Sequence, residues 1–177
     1  IGEQYAQEIP LSLTAHICFE QLYSGIDGDS ASSAELYAIL SSLSGVPIKQ
    51  GIAVTGSVNQ KGEIQPVGGV TKKIEGFFAL CKSRGLNGQQ GVIIPKQNIK
   101  NLVLSWEVID AVREGKFHIY PIQHINEGIE ILMGKPAGQK LANGGYEKGT
   151  VHGLVYEKLR EYALSMVEFG KNNVKIP

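Results

Sequence analysis

Two glycine-bearing stretches hold the residues with the most chemistry in them. One is Asp27-Gly28-Asp29-Ser30-Ala31-Ser32-Ser33 and the other is Pro66-Val67-Gly68-Gly69-Val70-Thr71-Lys72-Lys73. Each stands just ahead of a helical pattern. A serine hydroxyl is a poor nucleophile until a base takes its proton. Four histidines are candidates for that base. His124 and His152 fall in loop-like or late helical positions, and His118 lies in a strand pattern of its own. His16 lies on the polar face of the strand pattern leading toward Ser30. No GxSxG elbow accompanies any of them, so a Ser-His-Asp triad has no motif behind it. Lysine is the other kind of base. It accepts a proton only as the neutral amine, which burial and neighbouring positive charge both favour. Lys73 falls on the first turn of its helical pattern, where the positive end of the helix dipole disfavours a further positive charge, and Lys72 stands beside it. Gly68-Gly69 lets the backbone approach another segment closely. Thr55, in Ala53-Val54-Thr55-Gly56, carries a hydroxyl able to orient the amine. Backbone N–H groups around Gly28 and Asp29, at the helix start, offer an oxyanion hole. The same residues admit plainer readings. Ser30 to Ser33 suits an ordinary helix start, Gly68-Gly69 an anion-binding turn, and Lys73 a solvated side chain.

The elements that must position these residues follow from periodicity. Apolar Leu11, Leu13, Ala15, Ile17 and Phe19 alternate with polar Ser12, Thr14, His16, Cys18 and Glu20, which predicts a half-buried strand. Gln21 to Asp29 reads as a loop hinged at Gly25 and Gly28. A helix is expected from Ser30 to Leu43, capped by Asp29 or Ser30 and ended by Gly45 and Pro47. Its Ser32, Ser33, Ser41, Ser42 and Ser44 read as small residues that allow close packing. Gly51 to Val58 predicts a strand, Asn59 to Gly62 a hairpin turn and Glu63 to Gln65 the return. A helix follows from Thr71 to Arg84 with Ile74, Phe77, Phe78, Leu80 and Cys81 inward. Gly91 to Pro95 is apolar throughout, as in a strand buried on both faces. Asn98 to Val112 is helical in parts, Phe117 to Pro121 a strand and Asn126 to Met133 a short helix. The fold class is therefore α/β, or α+β in layers. Gly134 to Thr150 reads as a glycine-rich linker. Val151 to Phe169 reads as an amphipathic helix whose stripe runs through Val151, Leu154, Val155, Leu159, Tyr162, Ala163, Met166 and Val167. That stripe either docks back on the domain or meets another chain.

Composition narrows the classes. With 177 residues, 17 basic and 17 acidic, the chain is one domain by size and formally uncharged. That balance gives no electrostatic reason to expect nucleic acid or an anionic membrane as partner. No run reaches the ~18 apolar residues of a membrane span, so a soluble, cytoplasmic protein is expected. Cys18 and Cys81 read as buried free thiols. No CxxC or His/Cys spacing suggests a metal site.

Taken together the motifs resemble the proteolytic domain of the Lon proteases, from about Leu11 to Met133. The family's nucleophile loop, Asp-Gly-x-Ser-Ala, is matched by Asp27-Gly28-Asp29-Ser30-Ala31. Its Ala-x-Thr-Gly is matched by Ala53 to Gly56, and its Pro-x-Gly-Gly-x-x-x-Lys by Pro66 to Lys73. Val92 to Pro95 with Asn98 after it is also family-like. The resemblance implies a fold like the second domain of a small-subunit ribosomal protein, and a serine endopeptidase acting on unfolded or damaged polypeptides. It implies Ser30 as nucleophile, Lys73 as general base and Thr55 as the residue that holds the amine, with His16 supporting. Asp29, with Ser32 and Ser57, departs from the commoner pattern and resembles the B-type branch. Asp29 beside the serine is expected to be able to bind Lys73 in a resting state. The family couples this domain to an ATPase and assembles as hexameric rings. No GxxxxGK[ST] loop is present, so no cofactor is expected in this chain, with ATP and Mg belonging to the missing ATPase module. The chain then reads as residues 1–134 of proteolytic domain, truncated at its N-terminus, a linker at 135–150 and a helix at 151–177. Two other classes stay open: a non-enzymatic binding module of the same layering, and a serine–lysine amidase for small substrates.

Overall fold

The structure is a computed structural model that describes residues 1–7, 9–19 and 28–173, with side chains described as far as Gly170. Asp27 of the first stretch, the expected hinge Gly25 and the rest of the loop before Gly28 lie outside the described residues. In chain order the elements are α1 (Gly2–Tyr5), α2 (Ser32–Ser44), β1 (Ile52–Val54), β2 (Ser57–Val58), β3 (Ile64–Gln65) and α3 (Val70–Arg84). After them come β4 (Gly91–Pro95), a 3-10 turn (Lys96–Asn101), α4 (Trp106–Arg113), β5 (His118–Ile122), α5 (Ile125–Met133) and α6 (Val151–Asn173). The result is a mixed α/β fold.

All five residues of β4 are buried, which only a strand paired on both edges and covered on both faces achieves. It is the middle strand of a parallel sheet in the order β1-β4-β5. Val54 pairs with Ile93 on one side, and Pro95 with Ile122 on the other. Parallel neighbours need long crossovers, and α3 and α4 serve as these. Successive side chains of a strand face opposite ways. Val92 and Ile94 therefore pack with Ile74, Phe78, Val108 and Phe117 under α3 and α4. Ile93 joins Tyr37, Leu40, Ile129, Leu132, Val151 and Val155 under α2, α5 and α6. Tyr37 and α5 meet tightly at Gly128, where an added Cβ would lie 2.0 Å from the tyrosine oxygen. The expected hairpin is present, with Val58 opposite Ile64 across the turn.

Several expectations need correction. Residues 11–19 form no strand: Leu11, Ile17 and Phe19 are 44%, 42% and 45% exposed. Alternation buries a face only when a neighbouring strand fixes the pleat, and among the described residues none pairs with this segment. Cys18 is exposed there, whereas Cys81 is buried as expected. Ala31, with no side-chain hydrogen bond, precedes α2 in place of an Asp29 or Ser30 cap, because those residues are engaged elsewhere. Leu80 lies outward on α3. The 135–150 segment is largely exposed but anchored: Ala137 and Tyr146 belong to the core under α2 and α6, and Val151 N–H donates to the Pro136 carbonyl. The stripe of α6 docks on the domain through Val151, Val155, Leu159 and Ala163, while Met166 and Val167 are exposed. No helix among the described residues is long and apolar enough to cross a membrane.

The α6 anchor includes a buried histidine. His152 is 2% exposed. Its Nδ1 meets the Tyr5 hydroxyl and its Nε2 meets Asn126 Oδ1 at 2.9 Å. A neutral ring with Nε2 protonated satisfies both partners. Burial first, and His124 second, push His152 down from 6.5 to about 4. The unfolded chain takes up this proton near 6.5 and the folded chain only near 4, so stability is full above 6.5 and falls as pH drops through that window. At ~1.4 kcal/mol per pH unit this amounts to ~3 kcal/mol. Urea unfolding between pH 7 and pH 4.5 should show this loss, and His152→Asn should flatten the part of the slope that His152 contributes.

Candidate active site

The serine turn is held by backbone rather than by a helix cap. Gly28 takes a positive φ of 84° and leads through Asp29 to Ser30. The Ser30 carbonyl accepts from Gly56 N–H at 2.9 Å and from the Thr55 hydroxyl at 3.4 Å. In return Gly56 O accepts from Ser33 N–H at 3.2 Å and from Ser33 Oγ at 2.7 Å. Ser32 Oγ accepts from Val58 N–H at 3.1 Å. Gly56 is needed for this closeness: a Cβ there would stand 3.2 Å from Ile64 and 3.3 Å from Pro95. Thr55 N–H donates to the Ile93 carbonyl at 3.0 Å, so the junction between β1 and β2 is tied to the sheet and to the serine turn at once.

The lysine turn is fixed from the other side. Gly69 is left-handed at φ 68° and starts α3. Asn98, on the 3-10 turn after β4, clamps the bend before it. Its Oδ1 accepts from Val67 N–H at 3.1 Å, and its Nδ2 donates to Val67 O at 2.9 Å. From the first turn of α3 the Lys73 amine reaches Ser30 Oγ at 3.0 Å and Thr55 Oγ1 at 3.1 Å. Thr55 is 6% exposed. Ser30 is half-buried and Lys73 is open to solvent. The three surround a cleft of about 250 Å³ whose other walls are Ala31, Ala53, Val54 and Val92. A hydroxyl, an amine in contact with it and a second hydroxyl that steadies the amine suit proton transfer from serine to lysine.

Two expected site residues stand differently. Asp29 does not bind Lys73: its carboxylate accepts from Ser57 Oγ at 2.6 Å. His16 is not brought to the cleft. It lines a separate groove with Ala38, Ile39, Ser42, Leu43 and Tyr162. These lie toward the far end of α2, and a helix of 13 residues is ~20 Å long. Gly28 and Asp29, expected around an oxyanion, stand on the turn that leads into Ser30. The other histidines are engaged: His118 with the Gly88 carbonyl, His124 in the capping box of α5, and His152 in the buried network. Ser33 and Ser57 were not anticipated as site supports. A buried serine needs a partner, but a single sequence does not show which serine is buried. Among the described residues no group of three or more His, Cys, Asp or Glu side chains is placed to hold a metal ion.

A serine turn and a lysine turn meeting at the carboxyl end of a parallel sheet fit a proteolytic domain, and residues 11–135 match the Lon protease C-terminal proteolytic domain. The chain is 52% identical over 130 residues to a putative Lon protease homolog of Escherichia coli, covering 73% of this chain and 22% of that protein. It is 50% identical over 125 residues to a putative Lon protease homolog of Haemophilus influenzae, covering 71% and 21%. It is 42% identical over 122 residues to an archaeal Lon protease of Archaeoglobus fulgidus, covering 69% and 18%. The chain belongs to the Lon protease family and spans about a fifth of the length of these relatives.

Asn98→Ala leaves both polar groups of Val67 without their side-chain partner. It should lower stability by ~1–2 kcal/mol. Urea denaturation checks this as a fall in midpoint at constant slope.

Proposed function

We propose that this domain is a serine endopeptidase in which Ser30 is the nucleophile and Lys73 the general base. The contact of 3.0 Å between the Lys73 amine and Ser30 Oγ carries the reading. As neutral amine, Lys73 takes the hydroxyl proton while Ser30 Oγ attacks the peptide carbonyl. The proton then passes to the departing amine nitrogen, leaving an acyl-enzyme. Lys73 next takes a proton from the water that attacks the ester and passes it to Ser30 Oγ as the C–O bond breaks, which frees the acid and restores the serine and the neutral amine. Thr55 gives its own proton toward the Ser30 carbonyl and so turns a lone pair to the amine. Backbone N–H groups at the Gly28-Asp29-Ser30 turn are suited to the oxyanion. A polypeptide covering the cleft displaces water from Lys73, which favours the uncharged amine.

The substrate class is unfolded or damaged polypeptide. β1 is the edge strand of its sheet and ends beside the cleft. An extended chain can add there through backbone hydrogen bonds, which select weakly for sequence. The natural setting proposed is a cytoplasmic hexameric ring in which an ATPase, carrying ATP and Mg, unfolds and delivers the chain. This setting rests on family resemblance.

Cleavage of unfolded casein without ATP tests the reading. Ser30→Ala and Lys73→Ala should each reduce the rate by at least ~100-fold, the lower end of what a general base contributes, with circular dichroism unchanged. Thr55→Val should reduce it less. Cleavage that survives Lys73→Ala removes lysine as the base. Hydrolysis of small amides with casein left intact favours the amidase instead.

A further inference from the structure

We propose that Ser57 is a positioning residue for the lysine base: it keeps the Asp29 carboxylate turned away from the Lys73 amine. The inference rests on the serine–lysine reading above and names a control on the same site. Asp29 is covalently next to Ser30, whose hydroxyl touches Lys73, and neighbouring Cα atoms are ~3.8 Å apart. An exposed aspartate there stands one residue from the hydroxyl that the amine touches. A carboxylate beside the amine favours the ammonium form and so opposes a lysine that must be neutral to act. Asp29 is instead held toward β2 by the hydrogen bond of 2.6 Å from Ser57 Oγ.

Ser57 suits this task. It is 8% exposed and begins β2, two residues after Thr55, on backbone laced to the serine turn. Its hydroxyl is thus carried by the same backbone that carries the threonine contact to Lys73. Among the described residues Lys73 forms no ion pair, and of the residues that line the cleft it alone is ionisable. On its own helix Lys72 is exposed, and Glu75 accepts from Ser105 N–H at 3.0 Å, toward α4. On the 3-10 turn Lys96 and Lys100 are exposed. Asp29 is the carboxylate adjacent in sequence to the serine that the amine touches.

The test is titration of the lysine side chains by carbon-13 NMR, with the Lys73 signal assigned by its loss in Lys73→Met. The unaltered chain, Ser57→Ala, Ser57→Thr, Asp29→Asn and the double variant Ser57→Ala/Asp29→Asn are compared. In Ser57→Ala the freed carboxylate should move the Lys73 midpoint upward by ~1 pH unit or more. Ser57→Thr should behave as the unaltered chain. Asp29→Asn should lower the midpoint strongly in the Ser57→Ala background and much less in the native one, a coupling that a merely structural serine does not produce. An unmoved midpoint in Ser57→Ala, or a shift that Asp29→Asn leaves in place, overturns the proposal. Ser57→Cys, which fills the same space and donates weakly, carries the same comparison if alanine is not tolerated. The signal reads Lys73 whether or not peptide bonds are cut. Failure of casein cleavage therefore counts against the peptidase reading and not against this one.

Discussion

The site depends on one reciprocal exchange of backbone hydrogen bonds. Gly56 N–H donates to the Ser30 carbonyl, and the Gly56 carbonyl takes both the amide and the hydroxyl of Ser33. Without that exchange the serine turn would keep only the side-chain bonds that link it to Thr55, Ser57 and Val58. With it, Ser30 is referenced to the same backbone as Thr55, and Thr55 to β4 through Ile93. The lysine turn is referenced to β4 as well, through Asn98 on the turn that follows it. Two loops far apart in sequence are thereby located against one buried strand. Every residue of that strand is covered.

Much of this was legible in the residues. The continuous apolar run of β4 announced a strand buried on both faces, and Gly45 and Gly85 marked the ends of α2 and α3, because these patterns answer to local rules. The segment at Leu11–Phe19 shows where such rules stop. Its alternation is genuine, but a strand is a relation between two segments and a single pattern carries no partner. Asp29 shows the same limit in electrostatics. That it adjoins Ser30 is read from the sequence, whereas its bond with Ser57 is a tertiary fact. His16 was drawn toward Ser30 by an assumed strand and lost that position with it.

The C-terminal part of the chain is joined to the domain more closely than its glycines suggested. Tyr5, Tyr146 and His152 have ring centroids 5.4 to 5.7 Å apart, so α1, the 135–150 segment and α6 share one aromatic cluster. Glycine content describes the freedom of an isolated chain. Here that freedom is removed by what the neighbours bury.

The hairpin between β2 and β3 is fastened at both ends. At its base Gly56 meets the serine turn. Near its tip Ile64 N–H donates to the Gln123 carbonyl, and Ile125 N–H to the Gly62 carbonyl. The chain thus changes sheets at the threonine that touches the amine, then runs out as a short rod to the start of α5. A rod pinned at two points transmits displacement along its length. The surface turn at Asn59–Gly62 and the start of α5 thus stand at the far end of the hairpin that begins beside Thr55, the partner of the Lys73 amine.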